Sequence, residues 1–415
     1  MIVDHGHARS AGLAASVAAL LCLMPSLGGA QAADSFAEAL TESEPIINTR
    51  LRYEYVDQAG FANDANALTG RVRFGFKTGT YEGFMFLAET EIVGSANENF
   101  NSTTNGRTSF PVVADPDSRE INRLFVNYTG IDGLDVTLGR QALVLDNARF
   151  VGDVGWRQNQ QTFDAGVARI TAVNDLTVTY GYIDSVRRIF GSESANRSFE
   201  SDSHIVNASY AGLPGVKVTG YAYLLDLDEA PVLSTGTYGL AVSGGFPITS
   251  DLPLNLSAEY ARQTDRANNT QNIYLDYYKL SVGTKYEGLS AGLSYEVLEG
   301  NGTVGFSTPL ATVHAFQGWA DAFLTTPANG VEDLYGEIGY TFTDVGPLPK
   351  LITKAVYHDF ESERTGASLG DELDLLVKGV INPHLAVTAK YASFDGTSAG
   401  PADREKFWLQ LDFKL

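Results

Sequence analysis

The sequence predicts an all-β fold: a transmembrane antiparallel β-barrel of 18 strands, with short periplasmic turns and long extracellular loops. Three observations predict it. Apolar and polar residues alternate with a period of two, the spacing at which a strand shows one face to each side. Connections between these segments alternate short and long, as they do when every second turn lies on the same side of a bilayer. No segment beyond residue 32 approaches the apolar run that a membrane-crossing helix needs.

Residues 1–32 come first. Arg9 precedes the apolar run AGLAASVAALLCLM, which is followed by Pro25, Gly28, Gly29 and the small residues up to Ala32. These are the charged, apolar and cleavage regions of a secretory signal peptide cut after Ala32. Cys22 is the only cysteine and is removed with that segment, so thiol and disulfide chemistry is not expected of the mature chain. Residues 33–45 read as a periplasmic linker and 46–415 as an outer-membrane barrel. The net charge of -21 argues against a nucleic-acid partner.

The strand segments follow in order. NTRLRYEY sets Thr49, Leu51, Tyr53 and Tyr55 on one face against Arg50, Arg52 and Glu54; LTGRVRFGFK sets Leu68, Val72, Phe74 and Phe76 against Arg71, Arg73 and Lys77. At the far end, Phe407, Leu409, Leu411 and Phe413 oppose Trp408, Gln410, Asp412 and Lys414. The same reading gives segments at 46–55, 67–78, 81–92, 118–128, 134–140, 162–172, 176–184, 203–210 and 216–225. It continues at 235–243, 254–263, 272–286, 289–299, 330–343, 350–360, 368–381, 385–394 and 406–415. Gly79-Thr80, TGIDG, VND and EGL form tight turns, whereas 93–117, 141–161, 185–202, 264–271, 300–329 and 361–367 are long. A soluble sandwich would not sort its loops by parity.

With the polar face inward, Arg50, Arg52, Arg71, Arg73 and Arg123 line one wall. Closure of the barrel brings Lys354, Lys378 and Lys390 beside them, interleaved with Glu54, Asp374 and Asp412. Glu259, Glu296 and Glu337 lie roughly opposite, with Lys279 and Lys285 among them. Two readings stand: a basic arc that favours anionic solutes, or charges that pair with one another and solvate the lumen.

Two connections carry the remaining chemistry. GRQALVLDNARFVGDVGWRQNQQTFDA (139–165) supplies Arg140, Arg149 and Arg157, forked donors suited to carboxylates, and Trp156, a flat face for a sugar ring or a cation. FSTPLATVHAFQGWAD (306–321) supplies His314, Trp319 and Asp321. Both stretches resemble signature segments of the alginate-export family of bacterial outer-membrane channels. The resemblance implies a monomeric eighteen-stranded barrel, an arginine- and lysine-lined conduit, and an anionic polysaccharide as cargo. It carries binding roles onto Arg140, Arg149, Trp156 and Arg157 in the first stretch and His314, Trp319 and Asp321 in the second.

The resulting expectation is a channel for passive diffusion of hydrophilic, anionic small solutes or oligosaccharides. The alternative is an exporter of alginate or another anionic polysaccharide. His204, His314, His358 and His384 sit on scattered segments without a nucleophile motif, so no enzyme is expected. No cofactor and no metal are expected. The partners would be outer-membrane lipid, lipopolysaccharide and the cargo itself.

Overall fold

Each alternating segment is a strand in the computed structural model, which describes residues 33–249 and 252–415; the expected signal peptide lies outside them. Among the described residues there are eighteen strands. They run β1 (Glu44–Gln58), β2 (Ala65–Lys77), β3 (Phe84–Ser95), β4 (Ser118–Ile131), β5 (Leu134–Gln141) and β6 (Thr162–Val173). Then come β7 (Leu176–Arg187), β8 (Ser198–Leu213), β9 (Val216–Leu224), β10 (Thr235–Pro247), β11 (Pro253–Asp265) and β12 (Tyr274–Tyr286). The last are β13 (Leu289–Leu298), β14 (Val331–Val345), β15 (Leu348–Glu361), β16 (Ser368–Asn382), β17 (Leu385–Gly396) and β18 (Arg404–Lys414). Every strand pairs antiparallel with its neighbours in sequence, and β1 also pairs with β18, which closes the ring. A closed ring leaves no unpaired sheet edge in the hydrocarbon.

Burial follows the alternation. Leu51, Val72, Phe74, Leu280, Leu375, Leu409 and Leu411 are exposed on the outer face, where the bilayer would cover them. Arg52, Arg71, Glu89, Gln263, Glu296, Asp374 and Lys390 are buried on the inner face. A bulge at Asn122 in β4 interrupts the rule, turning both Asn122 and Arg123 inward against Glu89.

The tight connections are two-residue hairpins in most cases, and their residues explain them. The β2–β3 turn sits at Glu82-Gly83, both with positive φ (47° and 84°), so the turn expected at Gly79-Thr80 is displaced by three residues. Two successive positive φ values match the twist of the strands, and glycine takes the second at little cost. Glu287-Gly288 repeats the device between β12 and β13. The 33–45 segment holds a short helix, α1 (Phe36–Thr41), capped by the Ser35 side chain, which accepts from Glu38 N at 3.1 Å. Gly79 N donates to Ala39 O, tying the helix to the β2–β3 end of the barrel.

Nine connections lie at the opposite end. Two matter most: L3 (142–161) and L7 (299–330). Both fold into the lumen.

Leu375 lies at the middle of β16 with its side chain outward. Leu375→Arg is expected to lower stability by about 2–4 kcal/mol, the depth-dependent cost of a guanidinium at the bilayer centre. Lys378→Leu, on the lumen face of the same strand, should cost far less. Urea unfolding in lipid vesicles would compare them; equal losses would contradict the face assignment.

Candidate functional site

L3 and L7 meet each other before they meet the wall. Val151 and Leu310 form a parallel bridge, Gly152 N donates to Leu310 O (2.8 Å), and Thr312 N donates to Ala148 O (3.0 Å). Gln161 Nε2 donates to both Gly152 O and Leu310 O. Their apolar side chains Val151, Phe306, Leu310 and Phe323 pack against the inward-facing Phe163, Tyr277, Phe360, Phe394 and Trp408. The barrel therefore contains a hydrophobic core made of loop and wall together.

At the centre of this constriction the Trp156 indole stacks on His314, with centroids 4.4 Å apart and planes 6° from parallel. Arg52 lies over the same indole at 4.0 Å and Lys390 at 4.1 Å. Lys390 also sits 3.7 Å from the Trp319 ring, and its ammonium donates to His314 Nε2 at 2.8 Å. That contact makes Nε2 the acceptor, so Nδ1 carries the proton and donates to Asp321 at 2.7 Å. Burial first, and Lys390 next, hold the His314 pKa well below the usual value for histidine. Burial pushes Asp321 the other way, but Lys406 (2.6 Å), His314 and Arg157 outweigh it and hold the carboxyl well below the usual range. Arg157 reaches Glu54 (3.1 Å), Asp321 (3.3 Å) and Asp115 (3.7 Å), three carboxylates that raise its pKa although burial alone would lower it.

The arginines expected to face cargo are thus divided. Arg50 donates to the carbonyls of Gly155 (3.1 Å), Trp156 (2.9 Å) and Arg157 (3.3 Å) and pairs with Asp412 at 2.9 Å. Arg52 donates to Trp156 O (2.6 Å) and Gln410. Both hold L3 in place. Arg149 is fully buried against Glu296 (3.1 Å) and over Phe316, so it locks L3 to the wall opposite. Arg123 makes a forked pair with Glu89, and Lys354 pairs with Glu337 at 2.7 Å. Arg73 pairs with Glu91, leaving Nη2 without a partner. Arg71 differs from all of these. It donates to Asn48 at 2.5 Å, its Nε and Nη1 have no partner, and among the described residues no carboxylate lies within ion-pair distance. Lys378 faces the lumen on β16 without an ion pair among the described residues.

Arg140 does not join this group. It shares a face with the exposed Leu138, stands opposite Leu124, and forms a forked pair with Asp164, to which Arg187 also donates. That cluster lies on the outer side of the wall. Trp319 enters through its backbone as well as its ring, its N–H donating to Asp374 at 3.1 Å while Ala320 N donates to Glu372 at 2.6 Å.

Several participants were not singled out from the sequence. The run Gln158–Gln160 ties L3 to the wall and to the β3–β4 connection: Gln158 to Thr69 through its side chain and to Asp115 through its N–H, Asn159 to Ser118, and Gln160 to Glu91 through its N–H and to Asn122. Four consecutive amide side chains in a loop are a readable signal of such pairing. Asp115, Glu372 and Lys406 left none, because each belongs to a site only through the fold. Among the described residues no cluster of acidic or histidine side chains is arranged to hold a metal.

A closed antiparallel ring with an apolar outer belt and a charged, loop-constricted lumen is the architecture of bacterial outer-membrane porins, and it places this chain in that membrane. Residues 47–188 match the alginate export family model. The match includes the first of the two resembling stretches, and the likeness read from the sequence holds over that region. No curated protein sequence matches the chain. Among solved structures, OccK9 (OpdG) of Pseudomonas aeruginosa is similar with a TM-score of 0.71 at 17% identity, covering 91% of this chain and 100% of that one. OccK11 (OpdR) of the same organism gives 0.70 at 15% identity over 94% and 99%. OccAB4 of Acinetobacter baumannii gives 0.70 at 15% identity over 91% and 98%. At such identities the likeness is one of fold.

Two outcomes follow from the constriction. Arg157→Leu leaves Glu54 buried without an ion-pair partner and takes one cation from Asp115 and Asp321, and should destabilise the folded loops by about 3–5 kcal/mol, the usual result of breaking a buried pair; urea unfolding would read it. Because the folded pKa of His314 is depressed, its contribution is complete above about pH 6.5 and is lost as the pH falls through the folded value. Protonation then sets an imidazolium against Lys390. Loop-dependent current noise in planar bilayers should rise as the pH is lowered below about 6.5, and His314→Gln should flatten that rise. Noise unchanged by pH in the native chain would contradict the assignment.

Proposed function

We propose that the protein is a passive outer-membrane channel for hydrophilic, anionic small solutes or oligosaccharides, and not an enzyme. The observation that supports it is Arg71. Its guanidinium stands directly across from Arg50 in the β1–β2 register, with Arg73 two residues further along the same strand. Like charges opposite one another on a sheet are destabilising, and Asp412 and Glu91 compensate two of the three cations. One positive charge remains on the lumen wall under L3. A buried cation without a counter-charge is costly, and an anion in transit removes that cost. Lys378, also without an acid, continues the basic side of the lumen.

The His314–Asp321 pair has no nucleophile at its free end, since Lys390 occupies Nε2. That favours a positioning role over catalysis. We further propose that the barrel functions as a monomer, with lipopolysaccharide against the outward cluster of Arg140 and Arg187. The family match supports a second reading, export of an anionic polysaccharide such as alginate. The interlocked Trp156 and His314 weigh against it, because a polymer would have to part L3 from L7.

Single-channel recording tests the reading. The native channel is expected to prefer chloride over potassium, and Arg71→Gln should reduce that preference about threefold or more. A cation-selective native channel would sink the anionic reading. Insensitivity to Arg71→Gln would remove its central residue. Block by oligouronates that deepens with chain length would favour the exporter.

A further inference from the structure

On the loop side of the constriction lies a cavity of about 720 Å³. Its floor includes Arg157, His314, Asp321 and Lys406 from the network above, and it is further lined by Arg188 and Arg404. Four cations and one carboxylate line it, in a chain whose net charge is -21. The carboxylate, Asp321, is already engaged by Lys406, Arg157 and His314.

Arg188 and Arg404 have no such engagement; among the described residues neither has a carboxylate within ion-pair distance. Arg404 donates through Nη1 to Asp321 O at 2.9 Å, and its buried Nε has no partner. Arg188 lies over the rings of Phe199 (4.3 Å) and Phe190 (4.6 Å), which orient the guanidinium plane; Nη1 donates to Asn196 O at 3.4 Å, and the other N–H groups are left for a ligand. Burial pushes the Arg188 pKa down to about 10, with no acid to offset it. The rest of the lining is mainly apolar, with Phe199, Leu233, Ile273 and Phe306 prominent. Apolar walls with a few directed polar groups make a ligand site, whereas a polyhydroxylated chain needs hydrogen bonds along its length.

We propose that this vestibule captures monoanions with an apolar body, arylalkyl or alkyl carboxylates, before they reach Arg71. Arg188 and Arg404 supply the charge, and Phe199, Leu233 and Phe306 receive the hydrocarbon. The proposal rests on the anionic reading for the fate of the ligand, since capture leads onward only through the basic wall.

Calorimetric titration of the full barrel in lipid nanodiscs tests it, with phenylacetate, acetate, glucuronate and phenylethanol as probes. Phenylacetate should bind at least about tenfold more tightly than acetate or glucuronate, which lack the apolar body, and than phenylethanol, which lacks the charge. Arg188→Gln with Arg404→Gln should weaken phenylacetate about tenfold while heat-modifiable migration on gels shows an intact barrel. Phe199→Ser should weaken phenylacetate and leave acetate unchanged. Equal binding of glucuronate, or full phenylacetate affinity in the double variant, would overturn the vestibule. Arg71→Gln separates the two readings: it should leave phenylacetate binding intact while lowering anion preference. A native channel without anion preference that still binds phenylacetate at Arg188 and Arg404 would refute the transport reading and retain the site.

Discussion

The bilayer offers no water to an unpaired amide, and the rest of this structure follows from that constraint. An open sheet would expose a full edge of N–H and C=O groups to hydrocarbon, at several kcal/mol for each unsatisfied group. Pairing β1 with β18 removes both edges. Closure with this many strands leaves an interior too wide for the wall's own side chains to fill. The chain fills it with L3 and L7, so the narrow part of the lumen is set by loops and not by the sheet. Apolar contacts such as Leu310 and Phe306 against Tyr277 and Phe360 supply part of the adhesion. The loops' backbone groups must then find partners inside the barrel, and Arg50, Arg52, Glu372 and Asp374 provide them.

That requirement explains why so many lumen charges are structural. A buried guanidinium or carboxylate is tolerated when it is paired and hydrogen-bonded, and it is destabilising when it is alone. Arg149 with Glu296, and Arg157 with Glu54 and Asp321, meet the condition across the barrel and hold L3 to two different parts of its wall. Arg71 does not meet it. Counting bases on the lumen face therefore overstates the cationic surface open to a solute. The informative quantity is the number of bases left without an acid.

The strand pattern was legible in the sequence because one residue step decides which face a side chain takes, and the local string carries that step. All eighteen segments could be placed this way; the two long connections could be located, but alternation does not say that they enter the lumen. Limits were less legible. The β2–β3 turn moved from Gly79-Thr80 to Glu82-Gly83 because both places look like turns, and strand twist favours two consecutive positive φ values. Arg140 could have been read correctly: it lies two residues beyond the outward Leu138, so alternation alone turns it away from the lumen. The pairing of Arg149 with Glu296 could not. It depends on ring closure and on the route of a loop, and neither leaves a local trace. Gln158 to Gln161 lie between these cases, visible as a polar run but silent about which wall they meet.

The acidity of the chain, which at first sight argues against an anionic cargo, loses its force once the faces are separated. Many of the carboxylates stand outside, near the loop end, where tyrosines donate to them: Tyr55 to Asp64, Tyr260 to Asp276 and Tyr295 to Glu332. Tyrosine rings are suited to the membrane interface because one edge is apolar and the other polar. A neighbouring carboxylate gives each hydroxyl a strong acceptor. These acids lie on the far side of the sheet from the lumen and face high-dielectric solvent or headgroups, so their field inside is weak. Inside, Glu54, Glu91, Glu296 and Asp321 each have a base. Net charge and lumen charge are separate properties of a barrel. The second bears on which solutes cross, and among the described residues it combines bases without an acid, Arg71 and Lys378, with inward acids without a Lys or Arg partner, Glu259 and Glu372.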